Sequence, residues 1–184
     1  MIKVRYIVFL ASLLYLLFTM PIHKVGSDNS YDVAELDVIS LGPPNYQLYD
    51  YMKEYSDLYD IPFSFALRCA GEETGYKGKF DFKYRPFIDK NRVSYADAYG
   101  PLQIQIPTAN EMWTDRKITE DDLSYNIKIN VITSFRYKKY LYDIYHDWLK
   151  VYSVYNMGWK GKEKINQYAM NIVYGEHSKH NHVL

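Results

Sequence analysis

Two adjacent carboxylates, Glu72 and Glu73, close a helical segment, and one of them is placed to act as a general acid. Neighbouring residues of an α-helix point about 100° apart, so the pair cannot face one cleft together. Glu73 shares its face with the small apolar residues Ala66, Cys69 and Ala70. Glu72 lies four residues after Arg68, on a polar face. Apolar surroundings and the negative end of a helix both disfavour an ionised carboxyl, raising its pKa toward what a proton donor needs near neutrality. Glu73 is therefore the candidate acid. Other chemistries find no support. Cys69 sits mid-helix among apolar neighbours and reads as a buried thiol. His177, His180 and His182 cluster at the tail without an HExxH or carboxylate pattern, so no metal is expected. No phosphate-binding loop, dinucleotide fingerprint or G-x-S-x-G elbow occurs, and no cofactor is expected.

The elements that must position Glu73 read as helices. Tyr46 to about Tyr59 carries Leu48, Tyr51, Met52 and Tyr55 at helical spacing until Ile61-Pro62 breaks the period. The next helix starts at Pro62 and stops near Gly75, a left-handed cap. From about Tyr76 to Tyr99 neither period appears, which predicts a long loop of the functional kind. Pro107-Thr108-Ala109 opens another helix. Thr119 with Asp122 forms a capping box for a long helix through Ile127, Val131, Phe135, Tyr140 and Ile144. A short helix from Asp147 to about Asn156 and a last amphipathic one through Ile165, Tyr168, Ala169, Ile172 and Val173 complete an all-α, mainly helical class.

The 184 residues suffice for one domain with a core. Basic and acidic residues balance at 22 each, so no net positive field is available to hold nucleic acid. The single cysteine excludes an intrachain disulfide framework. Lys3 and Arg5 precede an apolar run from Tyr6 to Ile22, the pattern of an export signal, with a weak small-residue site at Val25-Gly26-Ser27. The expected organisation is a signal peptide or signal anchor at 1–27, a linker at 28–45, a catalytic domain at 46–174 and a disordered tail at 175–184. The product would be exported, lying in the periplasm, outside the cell, or tethered to the membrane through residues 6–22 and facing the wall.

Three blocks in order carry a family resemblance: GEETGY at 71–76, AYGPLQIQIPTA at 98–109 and VYSVYNMG at 151–158. They resemble the signature blocks of the soluble lytic transglycosylase domain, roughly E-S-x-F, G-L-M-Q-x-x-P-x-T-A and Y-N-A-G, within the lysozyme-like and goose-type lysozyme superfamily. Thr74 stands for the usual serine, Tyr76 for phenylalanine and Leu102 for methionine, and Pro107 falls one place late. The resemblance implies a lysozyme-like helical domain with a long active-site loop. It carries the catalytic role to Glu73 and substrate contacts to Thr74, Gln103, Tyr155 and Asn156, with the Tyr155 hydroxyl beside the catalytic carboxyl. Tyr76 and Tyr99 are of the type that stacks on sugar faces or packs a core edge.

The activity implied is cleavage of the β-1,4 bond between N-acetylmuramic acid and N-acetylglucosamine in peptidoglycan glycan strands, with 1,6-anhydromuramyl ends. A goose-type muramidase that adds water, and a silent glycan-binding or assembly module, are the alternatives. Asp81, Asp89 and Asp97 in the long loop are the acids that a hydrolase would recruit. Cell-wall turnover, a secretion or conjugation machine, and a phage each suit a chain of this kind.

Overall fold

The computed structural model describes residues 42–85 and 97–175. The chain divides into Met1–Leu36 and Asp37–Leu184, and every described residue belongs to the second unit. The apolar run read as an export signal, most of the stretch read as linker, Asp89 and the histidines of the tail lie outside the described residues.

Helix α1 spans Pro44–Tyr59 and starts on the Pro43-Pro44 pair, two residues into the stretch read as linker. Proline suits the first helical turn because its missing N–H would have no partner there. Leu48, Tyr51, Met52 and Tyr55 form its buried face, as their spacing predicts. Helix α2, Phe63–Thr74, ends where Gly75 takes φ 72° and donates its N–H to the Gly71 carbonyl at 2.9 Å. Its buried residues are Ala66, Cys69 and Ala70, small side chains that let neighbouring helices approach closely. The described part of the following segment, up to Arg85, contains no helix or strand.

A two-strand antiparallel ribbon, β1 (Ala98–Tyr99) and β2 (Ile104–Gln105), pairs Ala98 with Gln105 and Tyr99 with Ile104. The sequence showed no strand signal, and two residues per strand leave no alternation to detect. Three helices follow: α3 (Ile106–Met112), α4 (Glu120–Tyr125) and α5 (Ile127–Tyr145). The capping box exists as predicted, with Thr119 accepting from the Asp122 N–H, but it starts the short α4 rather than the long helix. Asn126 caps α5 separately by accepting from Ile129 N–H at 3.0 Å.

Helix α5 is the axis of the core. Every residue from Ile129 to Phe135 is buried, polar ones included, because other helices surround this stretch. Tyr140 and Ile144, expected on the apolar stripe, are exposed where the helix leaves that cover. Thr133 on this stretch is satisfied inside the core: Trp113 donates to its Oγ1 at 2.8 Å, and Thr133 donates to the Ile129 carbonyl at 2.6 Å. Helix α6 (Trp148–Met157), a 3₁₀ turn (Gly158–Lys162) and α7 (Gln167–Tyr174) close the described domain. The Arg68 guanidinium, from α2, binds the Ile172 and Val173 carbonyls near the end of α7, where the helix dipole favours a cation. Among the described residues no helix is long and apolar enough to cross a membrane.

Candidate active site

Glu73 lies in the last turn of α2 at one wall of a cleft of about 500 Å³. Gln103 and Ile104 from the ribbon, Thr108 from α3, Tyr137 from α5 and the α6 end from Val154 to Gly158 line the remainder. The three sequence blocks thus converge on one cavity, of the size that holds a small ligand or a few sugar rings. Among the described residues Glu73 is the sole acidic group lining it. Asp81 instead accepts from the Lys77 N–H at 3.3 Å, and Asp97 is exposed with φ 50°.

The two glutamates separate as their helical positions require. Glu72 is exposed and accepts from Asn171 Nδ2 at 3.0 Å. Glu73 is partly buried, and burial raises its carboxyl above the ordinary value. A hydrogen bond from the Tyr168 hydroxyl and the Lys138 charge pull the other way, while the charge on Glu72 adds to the rise. The net direction is upward, as a proton donor requires.

This raised pKa has a consequence for stability. As pH rises, the unfolded chain releases the proton first, from about pH 4. The folded state is disfavoured from there until Glu73 itself titrates, and the loss persists above that point. Glu73→Gln removes the loss while its amide oxygen still accepts from Tyr168. The variant should melt at higher temperature than the native chain at pH 7, and the gap should close near pH 4. Calorimetric melts at the two pH values measure this.

The remaining predicted site residues divide into two groups. Gln103, Tyr155 and Asn156 line the cleft with Glu73. Thr74, Tyr76 and Tyr99 do not. Thr74 Oγ1 bonds the Ala70 and Pro101 carbonyls at 3.2 and 3.1 Å and the Tyr84 hydroxyl at 2.9 Å, which fastens the end of α2 to the ribbon turn. Tyr76 is buried, donating to the Asn45 carbonyl at 2.7 Å and packing edge-on against Tyr84, so its sugar-stacking role gives way to a core one. Tyr99 is half-buried on β1, and its carbonyl accepts from Asn130 Nδ2 at 2.9 Å.

Gln103 occupies a left-handed conformation, φ 50°, unusual for a residue other than glycine. Its side-chain amide bonds the Gly100 carbonyl at 2.8 Å instead of capping the next helix. Asn130 holds this turn from the core, accepting from Leu102 N–H at 2.9 Å and donating to the Tyr99 and Leu123 carbonyls. Asn156 accepts from Asn166 Nδ2 at 2.9 Å, and Asn166 in turn caps α7, the helix that carries Tyr168.

The tyrosine at the acid differs from the one the resemblance points to. Tyr168 donates to Glu73, and its oxygen lies 3.3 Å from the Cys69 sulfur. Tyr155 is bonded to the Leu102 carbonyl at 2.6 Å and to Ser134 Oγ at 3.0 Å. Burial raises both phenols well above their ordinary value, so each keeps its proton. Tyr168, Ser134 and Lys138 were not singled out from the sequence. The only signal for Tyr168 was its place on an amphipathic stripe, and nothing local marks that stripe as reaching the acid.

Among the described residues a single, partly buried acid lines the cleft of this helical domain. Residues 87–174 match the family model of the transglycosylase SLT domain, and two of the three sequence blocks, 98–109 and 151–158, lie within that segment. A peptidoglycan-directed, lytic-transglycosylase-like function is what this match supports. The matched stretch contains Gln103, Tyr155, Asn156 and Tyr168 and begins after Glu73. No curated protein and no solved structure matches the chain.

Proposed function

We propose that the protein is a peptidoglycan lytic transglycosylase, with Glu73 as both acid and base, cutting the β-1,4 bond between N-acetylmuramic acid and N-acetylglucosamine. The observation that carries this reading is the single carboxyl in the described cleft wall, partly buried and raised in pKa. Glu73 gives its proton to the glycosidic oxygen, the C1–O bond breaks, and the electron pair stays on the leaving sugar. The substrate's own N-acetyl group and nearby dipoles support the charge developing at C1. The muramyl C6 hydroxyl then attacks C1, and its proton returns to the Glu73 carboxylate. No water is consumed. A tethered hydroxyl brings a high effective molarity, so no second carboxylate has to position a water. Hydrolytic glycosidases, by contrast, generally use two acids. Gln103, Tyr155 and Asn156 are the polar groups that would orient the glycan.

Export to the wall, with residues 6–22 as leader or tether, is the location that this substrate requires. Intact Glu73, Gln103 and Tyr155 in one cleft favour an enzyme over a silent binding module. The chemical form of the muramyl ends left in digested peptidoglycan tests the reading.

A further inference from the structure

Lys138 lies on α5 with its side chain wholly buried, a place where an ion persists only when hydrogen-bonded or paired. Among the described residues no carboxylate is in ion-pair contact with it. Its ammonium donates to Ser134 Oγ at 2.6 Å and lies 4.4 Å from the centre of the Tyr155 ring, with the Phe135 and Tyr152 rings at 5.5 and 5.7 Å. These contacts hold a cation without neutralising it. A position that only filled the core would be served at least as well by methionine or leucine, which carry no desolvation penalty.

The surroundings show where the charge acts. The titratable groups it acts on or packs against are Cys69 and Glu73 from α2 and Tyr152 and Tyr155 from α6, and Tyr168 from α7 bridges Cys69 and Glu73. Glu72 is the remaining charge acting on the acid. The hydrogen-bond directions are also fixed. An ammonium only donates, so Ser134 accepts from Lys138 and turns its own proton to Tyr155, which donates to the Leu102 carbonyl.

We propose that Lys138 is a positioning residue for the acid: its buried ammonium is the counter-charge for the Glu73 carboxylate left after proton transfer, and through Ser134 it locks the Tyr155 hydroxyl onto the cleft wall at Leu102. The proposal rests on the reading of Glu73 as the acid. Because the cation favours the ionised form, its removal makes Glu73 a weaker acid.

The test follows the Glu73 carboxyl carbon and the Lys138 Nζ by NMR across pH in the full chain, beside the pH profile of wall lysis. In the native chain the Lys138 Nζ resonance should inflect where Glu73 titrates, and Glu73→Gln should abolish that inflection. In Lys138→Met, Glu73 should titrate at higher pH and the alkaline limb of lysis should move up with it. Ser134→Ala keeps the ammonium and should leave the Glu73 titration close to its native place. An unmoved Glu73 titration in Lys138→Met overturns the proposal. If that variant does not fold, a missing inflection in the native chain overturns it instead. A native chain that shows the coupled titration yet lyses no wall supports the charge pairing and contradicts the proposed function.

Discussion

Glu73→Gln is expected to lower the rate of wall lysis by about 10²–10⁴-fold, the usual contribution of a positioned acid, with the fold retained. The amide keeps the shape of the carboxyl and the bond from Tyr168, so the loss reports the missing proton alone. Glu72→Gln should keep most of the activity, because its carboxyl is exposed and bound to Asn171 away from the cleft lining. Turbidity assays on purified cell wall measure both rates. Comparable losses in the two variants would contradict the assignment of acid and bystander.

A large effect on stability is expected at Gly100. A Cβ there would stand 2.1 Å from the Leu123 carbonyl oxygen and 2.4 Å from Asn130 Nδ2, and the residue has φ 72°. Backbone at that distance cannot yield cheaply, and the Asn130 side chain is committed to the Tyr99, Leu102 and Leu123 backbone. Gly100→Ala should cost about 4 kcal/mol or more, in the range kept for core overpacking combined with backbone strain. At this size the melting temperature should fall by roughly 10 °C. Gly75 supplies a matched control, since it has the same φ of 72° with nothing within 4 Å of its added Cβ. Gly75→Ala should therefore show only the left-handed penalty, about 1–2 kcal/mol. Denaturant titrations of the two variants separate steric from conformational cost, and equal losses would remove the contact argument.

Much of this was legible in the sequence, for physical reasons. Helical periodicity placed α1 and α2, and the 100° step between successive residues put Glu73 on the buried side of α2 and Glu72 on the exposed side. The family resemblance pointed to Gln103, Tyr155 and Asn156, and all three line the cleft. Features that depend on tertiary contact were hidden. Asn126 as a separate cap could not be told from an interior residue of one long capped helix. The left-handed turn at Gln103 is enforced from outside by Asn130, 27 residues later. Tyr168 reaches Glu73 only because α7 packs on α2, and Lys138 is buried only because α5 is the core axis.

The product of digestion tests the central claim most directly. Purified peptidoglycan treated with the protein, without chemical reduction, is analysed by mass spectrometry for its muramyl ends. A single-acid cleft that uses the C6 hydroxyl predicts 1,6-anhydromuramyl fragments that borohydride does not reduce. Fragments heavier by one water, with reducible muramyl ends, would contradict the transglycosylase account and require a second carboxylate, such as Asp81, Asp89 or Asp97, to activate water in the cleft.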